Sequence, residues 1–235
     1  MAAPGTLEEP QVQAMFDRIA GVYDTLNSVM TAGLHHRWRA RAVDLAEVGP
    51  GSRVLDVATG TGDLALELRR RVGPSGSVVG MDFSVQMLEL AQDKDPVGQI
   101  DWLEGNALDL EFADNAFDAA TVGFGARNFA DLDRGLAEMA RVVKPGGHVV
   151  VLEITTPQRP PLSTFFGLWF DRAVPLLGRV WGDPSGAYSY LPSSVRRFPG
   201  PETLAAKLSQ VGLTDVRYVL TAGGIIALHV GTVPA

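Results

Sequence analysis

The stretch LDVATGTGDL, Leu55 to Leu64, ends a short apolar run, RVLDV (Arg53 to Val57), and opens a helical one, DLALELRRR. A strand that turns through glycines into a helix begins a βαβ unit. Gly60 and Gly62 let the backbone turn tightly and approach a ligand closely. Gly60, Gly62 and Ala65 also satisfy the dinucleotide pattern G-x-G-x-x-G/A, and Asp82 follows Gly62 by 20 positions, where such folds place a ribose-binding acid. Alone, this motif leaves a nicotinamide-dependent oxidoreductase open.

Working outward, SVVGMDF begins a second strand, IDWLEG a third, FDAATVGF a fourth and GHVVVLEI a fifth. Helical segments separate them, and LDRGLAEMARVV stops at the Lys144-Pro145-Gly146-Gly147 turn. This alternation predicts an α/β fold with a mainly parallel sheet and helices on both faces. A last helix (Pro201 to Val211) precedes two strands near Thr214–Leu220 and Ile225–Val230, expected to be buried and to pair antiparallel. Residues 1–11 read as a disordered tail and 12–235 as one domain. Within it, 12–46 form an N-terminal helical cap, and the proline- and aromatic-rich 155–200 a lid insertion.

Composition excludes several function classes. With a net charge of −7 the chain has no electrostatic reason to seek nucleic acid. The absence of cysteine excludes disulfides, thiolate metal sites and cysteine nucleophiles. No cluster has metal-ligand spacing, so no metal is expected. The first residues lack the basic and apolar regions of a signal peptide. The uncharged stretch from Tyr218 to Ala235 is broken by Gly223, Gly224, His229, Gly231 and Pro234, which argues against a membrane span.

Three features tilt the glycine motif toward S-adenosylmethionine. Asp56 ends the first strand, where a carboxylate favours a sulfonium-bearing ligand and repels a pyrophosphate. Asp82 is followed by FSVQML, whose Phe83 and Met87 offer an apolar wall for adenine. Asn106-Ala107 follows the third strand, where an adenine amino group needs a partner. Together with the KPGG turn, these resemble class I S-adenosylmethionine-dependent methyltransferases. That resemblance implies a Rossmann-like, seven-stranded sheet with an antiparallel C-terminal strand.

Longer strings resemble one family, the ubiquinone/menaquinone biosynthesis C-methyltransferases. They are MFDRIAGVYDTLNSVMTAGLHHRWR (Met15 to Arg39), VGFGARNFADLDRGLAEMARVVKPGGHVVVLE (Val122 to Glu153) and LTAGGIIALHVGTVP (Leu220 to Pro234). GDPSGAYSYLPSSVRRFP keeps the family's Tyr-x-Tyr-Leu and Ser-x-Arg pattern. The cofactor-binding set is then Asp56, Thr59, Gly60, Thr61, Gly62, Asp82, Phe83, Met87, Asn106, Ala107 and Gly123. Gly123 stands where the family usually has serine, so only a backbone contact is carried over there.

The resemblance implies S-adenosylmethionine-dependent methylation of a ring carbon on a reduced prenylated quinone, demethylmenaquinol being the nearer expectation and a ubiquinone precursor the alternative. The adjacent hydroxyl, with a phenolic pKa near 10, costs about 4 kcal/mol to ionise at neutral pH. Arg127, Asn128 and Tyr23 are the catalytic candidates; Arg127 stays protonated and therefore holds a phenolate or a water rather than acting as a base. A structural role for Arg127 would pair it with Asp131 or Asp133. Tyr23, Phe124, Arg127, Tyr188 and His229 are the substrate-binding candidates. His35 and His36 either flank Trp38 at the surface or line the pocket. The aromatic stretch Leu162 to Trp181 is either the lid's own core or a groove for an isoprenoid tail. Expected partners are the prenylated quinol, a peripheral membrane surface at the inner face of the cytoplasmic membrane, and a second copy in a homodimer. Other readings are a methyltransferase for another phenolic acceptor, the oxidoreductase, and a non-catalytic methyltransferase-like subunit.

Overall fold

The computed structural model describes residues 9–157, 160, 162–168 and 187–235. Two helices, α1 (Glu9–Thr31) and α2 (Leu34–Leu45), lead into β1 (Arg53–Val57), α3 (Asp63–Val72), β2 (Ser77–Asp82), α4 (Val85–Asp93) and β3 (Asp101–Glu104). There follow β4 (Phe117–Gly123), a single 3-10 turn (Ala126–Asn128), α5 (Leu132–Val142) and β5 (Val143–Ile154). Beyond these come α6 (Leu162–Leu168), α7 (Ala187–Arg197), α8 (Pro201–Gln210), β6 (Thr214–Thr221) and β7 (Ile226–Thr232).

The seven strands form one sheet in the order β3-β2-β1-β4-β5-β7-β6. Pairing is parallel from β3 to β5, and β7 runs antiparallel to both β5 and β6. The central strands are apolar on both faces because both are covered. Val54, Val78, Val150 and Leu152 face α2 and α3, while Leu55, Val79, Val149 and Val151 face α5 and α8. Alternation along each strand thus divides one run of aliphatics between two cores. The chain leaves β1 toward β2 and returns on its other side as β4. That switch of direction opens a crevice at the carboxyl ends of β1 and β4.

Three details differ from the sequence expectations. Helix α1 begins at Glu9, inside the proposed tail; Pro10 suits a first helical turn, where its missing N–H costs nothing. The N-terminal cap is two helices, because Ala32 and Gly33 take left-handed φ values of 48° and 74°. Of the two C-terminal strands only β7 is buried; β6 is the sheet edge and largely exposed. In the lid region, α6 and α7 are described, whereas the aromatic stretch from Trp169 to Trp181 lies outside the described residues.

Candidate active site

The ends of β1, β2 and β4 surround a cleft whose floor is carboxylate. Asp56 is 1% exposed and accepts hydrogen bonds from the Thr59 and Thr121 hydroxyls at 2.6 and 2.7 Å. Asp82 accepts from the backbone N–H groups of Gly60 and Ser84 at 2.8 and 3.0 Å. Burial pushes both carboxyls up to about 6, against the pull of these donors. Thr59, Gly60, Thr61, Phe83, Met87, Asn106, Ala107, Gly123 and Phe124 also line this cleft. At Gly123 a β-carbon would approach Leu64 Cδ2 at 3.0 Å, so a side chain there needs only a small shift of a flexible leucine.

Helix α1 roofs the cleft through polar contacts that sequence reasoning missed. Gln13 donates to the Phe83 carbonyl at 2.5 Å, and the Ser84 hydroxyl donates to Asp17 at 2.5 Å. The Thr61 hydroxyl donates to Asp24 at 2.6 Å, while Lys94 bridges Asp24 and Asp63 at 2.6 and 2.7 Å. Gln13, Asp17 and Asp24 stand at i, i+4 and i+11, one face of a helix. That polar stripe was the available signal.

Beyond Phe16, Tyr23 and Phe124, which line the cleft too, lies an apolar cavity of about 410 Å³. Its walls include Met15, Ile19, Trp38, Ile154, Phe166 and Tyr190. Phe124 has a left-handed φ of 62° directly after β4, which a bulky residue adopts only under constraint. The 3-10 turn places Arg127 on the cavity side and Asn128 on the cleft side. Arg127 donates to the Phe124 carbonyl and, at 3.2 Å each, to both oxygens of Glu153 at the end of β5. The Arg127 backbone N–H also donates to Glu153. Burial disfavours the guanidinium charge, but the Glu153 carboxylate together with Tyr23 and Tyr190 outweighs it and raises the pKa. Asn128 Oδ1 accepts from the Tyr190 hydroxyl at 3.1 Å.

The proposed pairing of Arg127 with Asp131 or Asp133 does not occur: Asp131 caps α5, and Asp133 holds Lys207 at 2.7 Å. Glu153 and Tyr190 were both overlooked.

Two site candidates fall elsewhere. Gly62 lines neither cavity; with φ 80°, it lets Trp102 pack closely, since a β-carbon there would meet the indole at 2.5 Å. His229 is fully buried in mid-strand, opposite Val151, with Nε2 2.9 Å from the Pro201 carbonyl. Alternation turns it away from Leu228 and Val230 and toward α8, and it lines neither cavity. Tyr188 lies in α7, but its side chain is outside the described residues. His35 lines the apolar cavity between Ser28 and Arg39, and burial lowers its pKa to about 4, whereas His36 is exposed. His35, His36 and Asp63 form one group of metal-type donors. Arg39 sits against both His35 and Asp63, which works against a cation there.

The glycine loop discriminates between cofactors. The Gly60 N–H is bonded to Asp82 and the Gly62 N–H to the Thr59 carbonyl, so neither is offered to a phosphate. A pyrophosphate would also meet two carboxylates, whereas a ribose-bearing sulfonium suits them.

Comparison with known proteins agrees. Residues 5–233 match the model of the ubiE/COQ5 methyltransferase family. The chain belongs to that family. A demethylmenaquinone methyltransferase of Thermus thermophilus is 46% identical over 94% of this chain and 100% of its own length. One from Desulfitobacterium hafniense is 44% identical over 95% and 90%. The ubiquinone/menaquinone biosynthesis C-methyltransferase UbiE of Hahella chejuensis is 39% identical over 97% and 93%. Among solved structures, the [4+2]-cyclase SpnF superposes with a TM-score of 0.72 at 19% identity, covering 98% of each chain. A SAM-dependent methyltransferase from Aquifex aeolicus gives 0.61 at 19% identity, covering 83% of this chain and 89% of its own. This member of the family is an S-adenosylmethionine-dependent methyltransferase with the expected Rossmann-like fold.

Proposed function

We propose that this family member methylates a ring carbon of demethylmenaquinol, a reduced prenylated quinone, to give menaquinol. One observation carries the reading: a carboxylate-floored cleft and an apolar cavity share the wall Phe16, Tyr23 and Phe124, with Arg127 and Asn128 at the junction. The cavity suits an isoprenoid tail, and the junction suits a ring that must sit between tail and cofactor. The names of the relatives point to the same acceptor.

Bound S-adenosylmethionine supplies an electrophilic methyl group. Asp82 would hold ribose hydroxyls with its remaining lone pairs, Phe83, Met87 and Ala107 would enclose the adenine, and Asn106 would meet its amino group. Asp56 favours the positive charge. On the acceptor side, Arg127 cannot take a proton, because Glu153 holds it charged. Arg127, Asn128 and Tyr23 instead favour the acceptor's ionised hydroxyl, offsetting part of the roughly 4 kcal/mol that ionisation costs.

Among the described residues no helix is long and apolar enough to cross a membrane. We assign a peripheral contact to the neighbourhood of Leu34, which lines the cavity and is 41% exposed, together with exposed Val29 and Leu162. Those residues would let a lipid-borne tail enter directly.

The test is methyl transfer from labelled S-adenosylmethionine to chemically reduced demethylmenaquinone, followed by mass analysis. One added carbon-bound methyl is the expected product. Cofactor binding without that product would transfer the assignment to another phenolic acceptor.

A further inference from the structure

The buried junction contains more polar groups than the reaction described above uses. Helix α7 contributes Tyr190, which both lines the apolar cavity and touches Asn128. Two turns later in the same helix, the Arg197 guanidinium lies over the Tyr190 ring, 5.8 Å from its centre. A phenol hydroxyl has one proton to donate. That proton needs an acceptor, and Asn128 Oδ1 stands 3.1 Å away. The opposite amide orientation would leave a half-buried hydroxyl proton unsatisfied, which is costly. With Oδ1 engaged, the Nδ2 donors are what Asn128 has left for the cleft it lines. Arg127, its charge balanced by Glu153, acts from the cavity side, whereas Asn128 is on the cleft side.

We infer that Tyr190 is a positioning residue: by donating to Asn128 it commits that amide to donate to the acceptor's oxygen, so the site stabilises a phenolate rather than accepting its proton. This rests on the phenolic-acceptor reading above. It also couples the seating of α7 to the polarity of the site, with Arg197 over the Tyr190 ring as the outer contact.

The experiment compares wild type with Tyr190→Phe, which keeps the ring and loses the hydroxyl, and with Arg197→Ala. The first readout needs no turnover: 1-naphthol, whose absorbance reports its ionisation, is titrated while bound to the protein. Wild type should lower its pKa, Tyr190→Phe should return it toward the free value, and Arg197→Ala should do so partly. The second is the pH profile of kcat. Tyr190→Phe should lose about tenfold or more near neutrality, recover as pH rises, and leave cofactor affinity unchanged. Asn128→Asp should be worse than Asn128→Ala, because it sets an anion against a phenolate. A naphthol pKa that stays as low in both α7 variants as in wild type, or Asn128→Asp as active as wild type, would overturn the inference. Loss of methyl transfer to demethylmenaquinol in wild type, with the naphthol shift retained, would overturn the acceptor assignment alone.

Discussion

Asp56 and Asp82 carry opposing demands. Burial raises both from an ordinary 3.8 to about 6. A carboxyl raised on folding contributes stability below its unfolded pKa and loses that contribution as pH rises through the folded value. A cationic ligand prefers the ionised forms. Its binding should therefore weaken as pH falls through about 6, by up to about tenfold per pH unit for each carboxyl. Calorimetry with S-adenosylmethionine between about pH 5 and pH 8 measures this directly. A flat profile would remove both groups from the cofactor site. Glu153 makes a different prediction. Its side chain is 1% exposed and that of Arg127 7%. Glu153→Gln strands a buried guanidinium and should cost about 3–5 kcal/mol in urea unfolding, as well as activity. Asp82 was readable in advance because the glycine turn fixes its spacing. Glu153 was not, since 26 residues separate it from Arg127 and only the parallel pairing of β4 with β5 brings them together.

Helix α1 acts as a clamp. Its grip consists of Gln13, Asp17 and Asp24 on the loop after β1 and the start of α4, and it covers the cleft with Phe16 and Tyr23. With the cofactor in this cleft as proposed, its release is expected to require α1 to lift or bend. Asp24→Ala breaks the contacts to Thr61 and Lys94 together. The Asp24 side chain is 39% exposed, so solvent screening limits the effect to a release rate about threefold to tenfold faster. Stopped-flow displacement of a bound fluorescent cofactor analogue would measure it; an unchanged rate would mean that α1 does not gate exit. The helical character of this segment follows from its pattern, and so does Tyr23. What the pattern does not contain is the fold of α1 back over β1 and β2. That depends on the left-handed pair Ala32-Gly33 and on partners 37 to 70 residues away.

The alternation of apolar runs and helices was enough to establish an α/β sheet, and the short link between the last two strands established their antiparallel pairing. Strand order was not readable, because every strand of a parallel sheet offers the same backbone hydrogen-bonding edge to its neighbours. That order creates the crevice, and the helices added at its carboxyl end enclose the apolar cavity. Phe166 of α6, 6% exposed, reaches that cavity from outside the central sheet. If the cavity holds the tail while the junction holds the ring, the two parts of the acceptor separate kinetically. Phe166→Ala should raise KM for a prenylated acceptor by about tenfold or more, the worth of one buried aromatic contact, and leave kcat largely unchanged. With a tail-less naphthoquinol, the same variant should match wild type in both constants. Equal losses on the two acceptors would mean that Phe166 supports the fold of the lid rather than the tail, and that the tail lies along another surface.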